Sequence, residues 1–216
     1  LSGYLAYGTK DQRFKYHAAS RFFISKSPRQ IIHLSTRKDL EQLGQSANAW
    51  RTDNILSSVF RRAPFRFNAY EEYKGGYEVE FIPGFSTKFE FGRKDIWSVG
   101  DVLFQRENGD GSVYDINRIS TAEVGINVRF AYRESFISGD LDRISLGTKF
   151  PILEFNARLG IKGFLGGDYE YQRVSLRISD RFPINPIGQS EFILEAGKIW
   201  GTVPYPLLQM FPGNQT

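Results

Sequence analysis

Residues 122–132 read AEVGINVRFAY. Val124, Ile126, Val128, Phe130 and Tyr132 fall on one parity, and Glu123, Gly125, Asn127, Arg129 and Ala131 on the other. Successive side chains of a strand point to opposite faces, so alternation sustained over this length demands a strand with one apolar and one polar face. Two media can cover the apolar face. A soluble sandwich covers it with a second sheet, whereas a membrane barrel gives it to lipid and turns the polar face toward a wet interior.

The pattern recurs along the chain. In 85–92 Phe85, Thr87, Phe89 and Phe91 oppose Ser86, Lys88, Glu90 and Gly92. In 142–163 Leu153, Phe155, Ala157, Leu159 and Ile161 oppose Glu154, Asn156, Arg158, Gly160 and Lys162, and in 168–180 Val174, Leu176 and Ile178 oppose Arg173, Ser175, Arg177 and Ser179. Residues 2–8 and 13–24 read as a hairpin around GTKD, followed by a short strand at QIIHLS. Strands are expected at 65–73, 76–82, 85–92 and 120–134, with 106–112 as a polar loop and a less regular last strand at 189–200. The expected fold is all-β, an antiparallel meander of about ten strands in a single domain over 1–216.

One segment changes period. Between 39 and 62, Leu40, Leu43, Ala47, Trp50, Ile55, Leu56, Val59 and Phe60 recur at helical spacing. Two short helices are expected, split near Gly44 and Asp53 and ended by Pro64. They read either as a cap over one barrel end, through Leu43, Trp50 and Phe60, or as an interfacial or partner-docking element.

Three features favour lipid over a second sheet. The strands at 122–132 and 152–162 are about twice the usual globular length, and a tilted barrel strand needs about 9–11 residues to span a bilayer. The polar parity interleaves charges of both signs with Gly92, Gly125 and Gly160, which suits a crowded wet interior. Aromatic residues (nineteen Phe, eleven Tyr, three Trp) are abundant, and Tyr132, Phe136, Phe150, Tyr169, Tyr171 and Phe182 gather near strand ends, where barrel girdles sit. No run of eighteen apolar residues exists, which excludes a transmembrane helix and leaves barrel strands open. Mean hydropathy is −0.36, and alternating strands barely raise such an average.

Chemistry-bearing motifs are few. Cysteine is absent and histidine occurs twice, as His17 and His33, so thiolate chemistry is excluded and a zinc ligand set is not expected. No Gly-x-Ser-x-Gly elbow is present, and GFLGGD lacks the lysine of a phosphate loop. In RENGDGSVYDIN, Asn108, Asp110 and Gly111 fit a calcium loop, but Arg106 and Asn117 stand where acids belong. A net charge of +4, with its cations spread along the chain, leaves no nucleic-acid footprint. No enzyme, metal or cofactor is expected. The chain opens on Leu1 and stops in FPGNQT, from which an internal piece of a longer protein is expected.

The stretches GYLAYGTKDQRFKY, DLEQLGQSANAWRTDNILSSVFRR, RISLGTKFPILEFNARLGIKGFLGGDYEY and EAGKIWGTVPYPLLQMFPGN closely resemble one family of large barrels. These are outer-membrane barrels of diderm bacteria that carry an N-terminal carboxypeptidase-regulatory-like domain and have no established function. The resemblance implies a bacterial outer-membrane location, a signal peptide and small sandwich upstream, and further strands downstream. It extends distantly to the surface-antigen barrels of assembly and translocation factors, an analogy at the level of fold.

The resulting expectation is part of a transmembrane outer-membrane β-barrel, non-enzymatic, serving translocation or envelope assembly, with outer-membrane lipid as its partner. A soluble β-sandwich binding module is the alternative, and a barrel enzyme acting on lipid is the third. Val124, Ile126, Val128, Phe130, Leu153, Phe155, Leu159, Ile161, Val174, Leu176 and Ile178 are the expected lipid-facing residues. Lys88, Glu90, Glu123, Arg129, Arg133, Glu154, Arg158, Lys162, Arg173 and Arg177 are the expected lumen lining, joined by Arg13, Lys15, Arg21, Glu78 and Glu80. These charges either pair across the ladder as a structural network, or their cationic surplus guides an anionic cargo or seats a plug.

Overall fold

The structure, a computed structural model, describes residues 1–9, 12–42, 67–100, 104–107, 112–139 and 143–208. Most of them form one antiparallel sheet of nine strands. Its members are β1 (Ser2–Gly8), β2 (Arg13–Lys26), β3 (Arg29–Gln42), β4 (Phe67–Ile82), β5 (Phe85–Ser98), β8 (Arg118–Ala131), β11 (Ile152–Gly160), β12 (Tyr171–Ile184) and β13 (Gly188–Gly201). They lie side by side in chain order. Two hairpins interrupt the meander: β6 (Phe104–Glu107) with β7 (Val113–Ile116), and β9 (Ser135–Ser138) with β10 (Arg143–Gly147). The fold is therefore the expected all-β meander. The nine-stranded sheet is open, with β1 and β13 at its edges.

The register aligns the alternating segments. Phe89 faces Ile126, which faces Ala157, which faces Val174. One row away, Thr87, Val128, Phe155 and Leu176 are neighbours. A slip of one residue would send every apolar side chain to the charged face, so the sequence specifies this register strongly.

Several boundaries differ from expectation. Asp39–Gln42 are strand, not helix: Leu40 pairs with Ala69 and Glu41 with Asn68, so the ladder with β4 overrides a local helical spacing. Residues 43–62, with Leu43, Trp50, Asp53 and Phe60, lie outside the described residues. The expected break between 73 and 76 does not occur, and β4 runs unbroken through Gly75 and Gly76. There the Phe91 ring lies so close over Gly75 that a Cβ would sit 2.5 Å from it. The glycine makes room for an aromatic ring instead of ending a strand. The expected long strand 142–163 is two strands, divided where Gly147 takes φ +88° and Pro151 follows. Arg106 lies in β6, inside the segment expected as loop.

The two faces are covered unequally. On the apolar face Phe89 is 51% exposed and Phe91 53%, and Phe22, Leu34, Tyr73, Phe155, Leu159, Leu176 and Leu194 are exposed beside them. The densest packing lies on the opposite face, at the end of the sheet where β5 leads into β6. There Tyr70, Ile96, Phe104 and Ile119 cluster, with Ile116, Tyr169 and Leu207 against them.

Candidate functional site: the charged inner face

Of the ten residues first expected to line the lumen, eight share one face: Lys88, Glu90, Glu123, Arg129, Glu154, Arg158, Arg173 and Arg177, with Glu78 and Glu80 beside them. The face is concave. Arg37 of β3, Glu72 and Lys74 of β4, Glu90 of β5, Glu123 of β8 and Arg173 of β12 line one cavity. Strands in a flat sheet stand about 4.8 Å apart, so side chains this many strands apart meet only if the sheet curls toward them. The other two residues are not on it. Arg133 sits in the turn after β8 with φ +52°, its guanidinium 5.3 Å from the Tyr132 ring. Lys162 follows the end of β11 and is exposed. Both were expected from strands read as longer than they are. Ile161, expected to face lipid, also lies past β11, where its N–H donates to the Ala122 carbonyl at 3.0 Å.

The charges form connected ladders. Lys88 pairs with Glu90 at 2.7 Å, and Arg158 reaches Glu90 at 3.3 Å and Glu123 at 3.2 Å. Arg173 donates to Glu123 at 2.8 Å, and the Tyr171 hydroxyl donates to the same carboxylate. Four strands are thus tied together through two carboxylates. The inner-face glycines leave space for this. A Cβ on Gly125 would lie 3.0 Å from Cγ of Arg158, whose side chain passes over it between Glu90 and Glu123. Arg177 is held more loosely, at 3.6 Å from both Glu154 and Glu195. His33 bonds Glu78 at 2.8 Å, and the His17 ring lies 5.8 Å from that of Tyr4.

A second ladder sits where β2–β3, β4–β5 and β12–β13 turn tightly. Arg129 grips Glu134 with two bonds of 2.6 and 2.8 Å, and the Ser145 hydroxyl donates to the same carboxylate at 2.5 Å. Arg143 pairs with buried Glu80 at 2.5 Å, and Glu80 also accepts the Gly84 N–H at 2.9 Å. The β9–β10 hairpin is thereby pinned to β4 and β8. Burial raises the Glu134 carboxyl, but the Arg129 and Ser145 hydrogen bonds outweigh it and hold it below the usual carboxylate range.

The aromatics expected as girdle residues separate into two groups. Tyr132 and Phe150 continue, through the expected lipid-facing Phe130, a chain of rings from Phe81 and Phe85, with neighbouring centroids 5.0–6.4 Å apart. Phe182 packs near Phe192. Phe136, by contrast, lies under the Arg143 guanidinium at 3.6 Å, Tyr169 packs on the buried cluster, and Tyr171 faces Glu123. Alternation alone could have placed Tyr171, which shares the parity of Arg173.

The polarity of both faces inverts along β4, β5 and β8. The outer face runs Val79, Tyr77, Gly75, Tyr73 and then Glu71 on β4. On β5 it runs Thr87, Phe89, Phe91 and then Arg93 and Asp95. On β8 it runs Val128, Ile126, Val124, Ala122 and then Ser120 and Arg118. At the same level the inner face turns from Glu72, Lys94 and Glu123 to Tyr70, Ile96 and Ile119, which form one register row. Ile96 is 2% exposed and Ile119 0%. Around the outer charges, Arg93 pairs with Asp95 at 3.0 Å and Ser120 donates to Asp95 at 2.5 Å. No periodicity window detects this exchange, because the alternation continues while its phase reverses.

Among the described residues no group of three His, Cys, Asp or Glu side chains comes together to hold a metal. Asn108, Asp110 and Gly111 of the calcium-like stretch lie outside the described residues. No curated protein and no solved structure matches this chain. A family model does, over residues 1–216, described as the C-terminal domain of a family of unknown function, DUF5686. The chain belongs to that family.

Proposed function

We propose that this domain is part of a transmembrane β-barrel of the bacterial outer membrane, non-enzymatic, with its charged face around a wet interior and its apolar face in lipid. The inversion on β4, β5 and β8 carries the reading. Apolar-out and charged-in is the arrangement of a membrane barrel, while charged-out and apolar-in is that of a water-soluble protein. Both occur on the same three strands, one after the other. The outer polar level is covered by the chain between β11 and β12, where Arg93 donates to the Leu165 carbonyl and the Ser120 N–H to Asp168, as expected of strands that leave the bilayer and meet their own polar loops. A second protein sheet over the apolar face gives no reason for the change of phase.

Two further features support it. From Ala122 to Tyr132 the outer side of the chain is uncharged over eleven residues, the length a tilted strand needs to cross. Contiguous apolar patches on soluble monomers rarely exceed a few hundred Å², and this face crosses most of a nine-stranded sheet. The resemblance to outer-membrane barrels points the same way. It also suggests a carboxypeptidase-regulatory-like sandwich ahead of the barrel and a role in translocation or envelope assembly.

The test is fractionation of the full-length protein. A barrel stays with the outer membrane after alkaline carbonate and urea washing, needs detergent for extraction, and migrates faster in SDS unboiled than boiled. A sandwich module is released by the washes and remains monodisperse in plain buffer, which would overturn the reading.

A further inference from the structure

We propose that the segment after β13 is an internal strap that closes the barrel interior at the end where β5 leads into β6. This rests on the barrel reading. The chain leaves the sheet at Gly201, paired with Tyr171, and makes a single 3-10 turn at Tyr205–Leu207. It does not run outward. Leu207 packs on the Tyr70, Ile96, Phe104 and Ile119 cluster. Pro206 and Leu207 line the charged cavity with Arg37, Tyr70 and Arg158, and Leu208 stands beside Arg173, Ser175 and Gly197. The strap therefore crosses the concave face from the last strand of the sheet to its centre.

The cluster on which it lands explains its own composition. Ile96 and Ile119 stand on a face that is otherwise charged, and water in an open interior would make them costly there. Phe104 from the β6–β7 hairpin and Leu207 from the strap cover them. The hairpin is held by its four-position ladder. Described backbone bonds of the strap are local, from Leu207 to Pro204 and from Leu208 to Tyr205. Its seat is the partial burial of a few apolar side chains, Leu207 with Val203, Pro204 and Pro206, a contact that a cargo entering the interior can displace. The strap is thus the movable part of the closure.

Full-length protein reconstituted in planar bilayers tests this, with unboiled SDS migration as the check that each variant is folded. These 216 residues have no cysteine, so on a background freed of any others Leu207→Cys with Ile119→Cys can be bridged by a short bismaleimide in native membranes. Bridging is expected, together with low conductance in the wild type and a several-fold rise in Leu207→Glu. Leu207→Ala, which keeps an apolar surface, is expected to give a smaller rise and serves if the glutamate variant does not fold. A folded double-cysteine protein that fails to bridge, or folded variants with wild-type conductance, would overturn the proposal. Either result with faster unboiled migration leaves the barrel reading standing. Loss of that migration in the wild type overturns the barrel reading instead.

Discussion

At the scale of single residues, the inner face is governed by carboxylates that each serve several partners. Glu123 accepts from Arg158, Arg173 and Tyr171. Its loss takes from Arg173 the carboxylate it donates to and leaves Arg158 with Glu90, on a partly covered surface. Glu123→Gln is expected to cost about 1–2 kcal/mol, discounted from the buried-pair value because the partners keep some solvent. It would be read as a lower temperature for conversion of the unboiled to the boiled band. Gly160→Val should cost more, since a Cβ there would lie 2.3 Å from the Tyr171 ring. Glu134 sets a pH dependence. Its folded-state pKa is depressed, so its contribution is complete above the ordinary carboxylate pKa of about 4.3. That contribution is lost as pH falls through the lower folded value. Proteolysis of the β9–β10 hairpin should therefore accelerate in acid in the wild type. Glu134→Gln should be cut faster at neutral pH and show a flatter response.

Among the elements, the long strands were legible because their alternation is strict, and the short ones were not. β9 and β10 offer four and five residues, too few for a period-2 signal to stand out. What holds them is contact with residues outside the hairpin: the ion pair of Arg143 with Glu80 on a strand far away in sequence, and the Ser145 bond to Glu134. Arg143→Met should release the hairpin at a cost of about 2 kcal/mol, seen as faster amide exchange over 135–147 with the nine-stranded ladder unchanged. An unchanged rate would mean that the pair contributes nothing to the pinning. The helical expectation at 39–42 failed for the opposite reason. The spacing was present, but β4 supplied ladder partners for Asp39 through Gln42 that local preference cannot anticipate. Strand ends were overextended at Arg133 and Lys162 because parity persists into the turns while pairing does not.

At the scale of the whole molecule, the two-faced meander follows from alternation, and so does face membership within the paired strands, while Arg133, Ile161 and Lys162 lie past the strand ends. The charged ladder also answers in part the choice between structure and cargo. Arg158 and Arg173 are engaged with Glu90 and Glu123, which favours a structural network on that stretch. What alternation could not supply is depth: where the belt stops, which glycines make room for rings, and that the inner face ends in an apolar cluster under the strap. Those depend on register across several strands. The central claim is that lipid covers the outer face between the Phe130–Leu153 row and the Val124–Leu159 row. Single cysteines placed in turn at 153 to 159 of full-length protein, on a background freed of other cysteines, spin-labelled in denaturant where the thiolate forms and refolded into bilayers, test it most directly. Nitroxides at 153, 155, 157 and 159 should collide readily with dissolved oxygen and little with a water-soluble nickel chelate. Those at 154, 156 and 158 should show the reverse. Equal exposure at both parities, or shielding of the odd set from oxygen as well, would contradict the account.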